Sequence, residues 1–97
     1  MNKKIQTPSV DKLFEAILTL QSKEECYLFF DDLCTVNEIL SLSQRYEVAS
    51  MLSEHRTYLD IAEQTGASTA TISRVNRSLN YGNDGYSLTF DRLRDQQ

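Results

Sequence analysis

Gly66 is the residue that most restricts how this chain can fold. It stands between "RTYLDIAEQT" (56–65) and "ASTATISRVNRSLN" (67–80), two stretches whose apolar residues recur at helical spacing. A left-handed backbone is cheapest for glycine, so Gly66 predicts a tight turn joining two short helices. Thr57 is placed to cap the first of these, and Ser68 the second, which should end before Gly82. Ala62 supplies the small residue needed where the two helices meet. Ile61, Ile72 and Val75 are the apolar residues expected to pin the second helix down. Two helices crossing steeply over such a turn form a helix-turn-helix, and Ala62, Gly66 and Ile72 fall at the offsets that motif uses.

The remainder also reads as helix. Three glycines, one proline and no Trp in 97 residues leave few breakers. A first helix is expected after Pro8 with Ser9 as N-cap, its apolar stripe formed by Val10, Leu13, Phe14, Ile17, Leu18 and Leu20. Ser22 and Glu25 make a capping box for a second helix that runs to about Leu33 and buries Cys26, Leu28, Phe29 and Leu33, or a similar face. "TVNE", from Thr35 to Glu38, is a second capping box. It opens a long third helix containing Val36, Ile39, Leu40, Tyr46, Val48, Ala49 and Leu52, which should end near His55. "GNDG" at 82–85 is a turn signal. Tyr86, Leu88, Phe90 and Leu93 beyond it suggest a short closing helix or a packed tail, with the last four or so residues fraying. The fold class is therefore all-α, with five to six helices in a single domain. Residues 10–56 form its helical dimerisation part, 57–80 the helix-turn-helix, and 81–97 the closing turn and helix or tail.

The formal net charge of -4 is unevenly placed. Residues 11–54 hold nine acids against Lys12, Lys23 and Arg45, whereas residues 64–80 hold no acid and two arginines, Arg74 and Arg77. A local basic face can bind phosphate while the rest of a protein repels it. Cys26 and Cys34 give neither a disulfide framework nor metal spacing and read as free thiols in a reducing compartment. Tyr27–Phe30 is the longest unbroken apolar run, too short to cross a bilayer, and the first ten residues lack a signal-peptide core. A cytoplasmic protein with no membrane partner and no bound metal is expected.

The chemistry of the second motif helix points to DNA. Ser68, Thr69, Ala70 and Thr71 at its start are small enough to approach base edges in a major groove. The free N–H groups of a helix N-terminus favour a phosphate. Ser73 adds hydrogen-bonding capacity, and Arg74 and Arg77 on later turns can reach phosphates or bases. One such motif reads half an operator, so these proteins dimerise and set two reading helices about 34 Å apart. A homodimer would also cover Phe14, Tyr27, Phe29 and Phe30, which a chain of this size hides with difficulty. Catalysis is not expected. His55 sits at a helix end, where a role in capping or with the helix dipole suffices. Asp31 and Asp32 are adjacent and point apart on a helix. No phosphate loop, nucleophile elbow or zinc spacing occurs. The competing reading is an acidic, helical protein-interaction module that retains the helix-turn-helix as a scaffold, and Asp60 and Glu63 favour it.

"LCTVNEILSLSQRYEVASML" and "DIAEQTGASTATISRVNRSL" resemble the tryptophan repressor superfamily, in particular its TrpR-like YerC/YecD family, over roughly residues 10–80. The resemblance implies an intertwined all-helical homodimer that regulates transcription by binding double-stranded DNA. It carries the reading residues over as Ser68, Thr69, Ala70, Thr71 and Ser73. It also implies a corepressor pocket in which an indole lies between Arg45 and Arg74, with Thr35, Thr71 and Ser78 in its lining. Guanidinium planes stack on aromatic rings and bind carboxylates, so the assignment makes physical sense. This sequence departs from the family where a glycine should follow the second arginine, for Val75 stands there. The interval from Arg45 to Gly66 is also one residue short. A β-branched side chain at 75 fills the space an indole needs, so no cofactor is expected and DNA binding should not depend on tryptophan. The helix before the turn departs as well. It has Leu59 and Ala62 where the family presents basic residues, which predicts fewer phosphate contacts and a shallow salt dependence.

Overall fold

The computed structural model describes residues 2–96. Among them are a short 3₁₀ turn, Lys3–Ile5, and six helices: α1 (Pro8–Ile17), α2 (Lys23–Leu33), α3 (Val36–Ser53), α4 (Tyr58–Thr65), α5 (Thr69–Tyr81) and α6 (Gly85–Asp95). The described residues contain no strand. They fall into two compact units, Met1–Val36 and Asn37–Gln97.

In the first unit, α1 begins two residues earlier than its sequence suggests. The N-cap is Thr7, not Ser9; its hydroxyl accepts the Val10 N–H at 3.2 Å, and Pro8 occupies the first helical position. Proline fits there because that N–H has no partner inside the helix and its φ is already helical. Ser22 caps α2 by accepting the Glu25 N–H at 3.1 Å. The Glu25 carboxylate reaches past Ser22 to accept the Gln21 N–H at 2.9 Å, so the box closes one residue earlier than its usual form. The rings of Phe29 and Phe30 meet edge to face with centroids 5.5 Å apart. No described residue of this unit is buried. The expected burial on α2 therefore does not occur within one chain: Cys26, Leu28 and Leu33 are exposed and Phe29 is half-buried.

The second unit holds the core. Val48, Ala49 and Met51 from α3, Ile61 from α4, Ala67 from the turn, and Ile72 and Val75 from α5 are buried together, with Leu52, Ala62, Tyr86 and Phe90 packed against them. The end of α3 is closed by a Schellman motif. The Arg56 N–H bonds the Met51 carbonyl at 3.1 Å and the His55 N–H bonds that of Leu52 at 3.0 Å, with His55 left-handed at φ 63°. His55 thus terminates the helix through its backbone. The chain then turns at residues 82–84 into α6, a full eleven-residue helix that continues to Asp95, where the sequence suggested fraying. Tyr46 of α3 packs on Phe90 and Tyr86 of α6, with ring centroids 5.2 and 6.2 Å away. Its hydroxyl lies 3.0 Å from Thr89 Oγ1, which itself donates to the Tyr86 carbonyl, so Tyr46 is the donor.

Candidate nucleic-acid interface

Thr57 starts α4 by accepting the Asp60 N–H at 3.2 Å, and Gly66 ends it in the left-handed region at φ 73°, with its N–H bonded to the Ala62 carbonyl at 2.9 Å. The turn is held from both sides. The Thr65 hydroxyl donates to the Ile61 carbonyl at 2.7 Å and accepts the Ala67 N–H at 3.1 Å. From α3, the Gln44 amide donates to the Thr65 carbonyl at 3.1 Å. Ser68 then caps α5, accepting the Thr71 N–H and donating to the Thr71 hydroxyl, both at 3.1 Å. Apart from the Gln44 bond, each device is local in sequence, so the helix-turn-helix is largely fixed by its own side chains before tertiary packing is counted.

Burial divides α5 into two faces. Ile72 is fully buried and Val75 is 2% exposed. Ser68, Thr69, Ala70, Ser73, Arg74 and Arg77 are exposed, and Thr71 is half-buried with its hydroxyl held by Ser68. Among the described residues, neither Arg74 nor Arg77 takes part in a salt bridge. The outward face thus combines a helix N-terminus, small polar side chains and two unpaired guanidinium groups. That set can bind phosphate and meet base edges.

Of the two acids on α4, Asp60 and Glu63, Asp60 is neutralised in place. Arg56 Nε donates to Asp60 Oδ2 at 2.5 Å, and Gln64 donates to Oδ1 of the same carboxylate at 3.0 Å. The Arg56 hydrogen bond holds the Asp60 carboxyl below its usual range, against partial desolvation, with smaller help from Gln64. The same bond raises the Arg56 guanidinium. Sequence reading counted Asp60 as a charge opposing phosphate and did not pair it with Arg56, although the i, i+4 spacing signals the pair. Leu59, where basic residues were sought, is 72% exposed.

Of the candidate ligand-pocket residues, Arg45 is exposed and donates to the Ser41 hydroxyl one turn back on α3, at 3.2 Å. Thr35 precedes α3 and is exposed. Ser78 lines a cavity of about 460 Å³ whose wall includes none of Thr35, Arg45 or Arg74. Val75, the residue that sets this sequence apart, is directed into the core.

Fold and surface define a helix-turn-helix protein whose second motif helix begins with small residues. The comparisons with known proteins narrow this. The sequence profile described as Trp repressor protein matches residues 8–94, and the chain belongs to the Trp repressor family. It is 58% identical over 94 residues to the uncharacterized protein YerC of Bacillus subtilis, covering 97% of this chain and 90% of YerC. Among solved structures it is similar to a TrpR-like protein from Eubacterium eligens, with 72% identity, a TM-score of 0.92 and 95% of each chain covered. It also matches a candidate Trp repressor from Staphylococcus aureus, with 59% identity and a TM-score of 0.91 over 95% of this chain and 92% of that one.

Proposed function

We propose that the protein is a sequence-specific, DNA-binding transcriptional regulator, acting as a repressor, in which α5 enters the major groove and Ser68, Thr69, Ala70, Thr71, Ser73, Arg74 and Arg77 face the DNA. The observation that carries this reading is the division of α5. Its core-facing residues are buried apolar ones, while its outward face is acid-free and keeps both arginines out of ion pairs. Family membership supports the class of function.

The working unit is a homodimer. Neither α1 nor α2 contains a buried residue, and Phe14, Leu18, Tyr27, Leu28 and Leu33 are each about half exposed or more. Apolar surface of this extent marks an interaction face, and a second copy covers it in a two-fold arrangement that also pairs the reading helices. DNA binding is independent of tryptophan, a reading supported by Val75, a bulkier residue than the family's glycine, whose side chain is packed in the core. The protein is cytoplasmic and needs neither metal nor cofactor.

Selection of bound duplexes from random DNA at about 50 mM salt tests the reading. Enrichment of one roughly palindromic site, unchanged by added tryptophan, is expected. Arg74→Ala should weaken binding to that site and lower the salt slope by about 1, with the dimer unchanged in sedimentation. Failure to enrich any site refutes DNA reading and leaves the acidic interaction module. Enrichment only with tryptophan refutes the role given to Val75.

A further inference from the structure

The Gln44 amide reaches the motif's turn from a distant part of the chain. Its bond to the Thr65 carbonyl spans 21 positions, whereas the bonds made by the Thr57, Thr65 and Ser68 hydroxyls span four or fewer. Gln44 and Thr65 are both half-buried. A carbonyl can only accept, so the amide has to present its NH₂ end and the direction of the bond is settled. Gln44 stands four residues before Val48, on the same face of α3 as that fully buried side chain and one turn beyond the core. Both ends of one peptide group are thereby held. The Thr65 carbonyl and the Gly66 N–H belong to the same planar unit. The first accepts from Gln44 at 3.1 Å, and the second donates to the Ala62 carbonyl at 2.9 Å. The rotation of that plane sets the direction in which the chain leaves α4, through Gly66 at φ 73°, towards α5. The Thr65 carbonyl is also one of the last in α4, which have no partner inside the helix.

We propose that Gln44 is a positioning residue whose bond to Thr65 refines the angle of α5 against α3 and, through that angle, the specificity of DNA reading. Packing of Ile61, Ile72 and Val75 against Val48, Ala49 and Met51 seats the motif on α3, but apolar attraction is non-directional. A hydrogen bond weakens steeply as it leaves its axis, so it restores a small rotation that packing tolerates. Gln44 acts through Thr65 and Gly66 and not by touching bases. Phosphate contacts need only rough placement of the arginines, whereas base-edge contacts need the start of α5 at a fixed depth and tilt in the groove. Loss of the bond therefore falls on discrimination between sequences more than on overall affinity. That consequence rests on the proposed DNA reading, but the effect on the orientation of α5 does not.

Gln44→Met keeps the length of the side chain and removes the donor. Without DNA, on the intact protein, amide residual dipolar couplings of α5 should depart from their parent orientation relative to α3. The Thr65 carbonyl carbon should move upfield, with helical circular dichroism unchanged. Gln44→Glu should match Gln44→Met at pH 7, where a carboxylate has no proton to donate. Compared with the parent at each pH, it should recover the Thr65 carbonyl shift as the pH falls through the ordinary glutamate value of about 4.3. Simple loss of packing would show no such recovery. With the selected duplex, the ratio of specific to non-specific affinity should fall about tenfold in Gln44→Met, because one bond is lost in each half of the proposed dimer. Binding to non-specific duplex, which charge sets, should stay within about twofold. An unchanged orientation of α5 overturns the proposal with or without DNA. If the parent selects a site, an unchanged specificity ratio also overturns it, as does a uniform loss on all duplexes, the mark of a direct phosphate contact. A parent that selects no site refutes the DNA reading and the specificity role with it, and the couplings still decide the orientation. If Gln44→Met fails to fold, Gln44→Glu at pH 7 takes its place in the coupling and carbonyl measurements.

Discussion

Gly66→Ala tests the left-handed turn on which the helix-turn-helix depends. Gly66 has φ 73°, and an added Cβ would meet nothing within 4 Å. The cost is therefore torsional and not steric. Placing an L-residue in the left-handed region costs roughly 1–2 kcal/mol. Alanine returns roughly 0.4–1 kcal/mol by restricting the unfolded chain. The net expectation is a loss of about 1 kcal/mol, read as a lower urea midpoint with an unchanged m-value at fixed protein concentration. Gly66→Asn should lose less, since asparagine tolerates this region. The other two glycines serve as controls. Gly82→Ala has an accessible φ of -90° but brings its methyl 2.3 Å from the Ser78 carbonyl oxygen, so the helix end must shift, at about 1–3 kcal/mol. Gly85→Ala opens α6 in free space and should stabilise by roughly 0.4–1 kcal/mol. If Gly66→Ala matches the parent, or if Gly66→Asn is no better than alanine, the turn is not held in the left-handed conformation and the argument for its rigidity falls.

Two further outcomes follow from the same unit. Ile72→Ala removes a fully buried side chain from the face of α5 opposite the readers and should cost about 2–5 kcal/mol in urea unfolding; a loss under about 1 kcal/mol would mean that α5 is not anchored there. The Asp60 carboxyl is held below its ordinary value, so it contributes stability above the unfolded-state value of about 3.9 and loses it as pH falls through the lower folded value. The gap in urea midpoint between the parent and Asp60→Asn should thus be present at pH 7 and close as the pH drops below about 4, and a gap that persists in acid would place the role of Asp60 elsewhere.

The helix-turn-helix was legible in the sequence because all but one of the hydrogen bonds that set it, the exception being that from Gln44, are local. Thr57 and Ser68 accept N–H groups three residues on, Gly66 donates its own N–H to the Ala62 carbonyl four residues back, and Ile61, Ile72 and Val75 lie on faces set by helical periodicity. Non-local features were not legible. The aromatic cluster linking Tyr46 to α6 joins residues some forty positions apart, and nothing in "YSLTF" announces its partner. The start of α1 was misplaced because Ser9 and Thr7 are both competent caps, and Pro8 decides between them only when its preference for the first helical position is given full weight. Burial on α2 was misjudged for a different reason. Periodicity reports which face is apolar and not which chain covers it, and in a single chain Leu28 and Leu33 stay exposed.

Arg74 and Val75 are neighbours on one turn of α5, and their contrasting environments explain how the reading helix is held. Val75 belongs to the same buried cluster as Val48, Ala49 and Met51 of α3 and Ile61 of α4, while Arg74 is exposed to solvent. A close-packed interior resists added volume, so a ligand cannot enter beside Val75 without displacing core atoms at a cost of roughly 1–3 kcal/mol or more. Under the proposed function, apolar packing therefore fixes the aim of Ser68–Arg77 whether or not a small molecule is present. Affinity is then set by DNA sequence and salt.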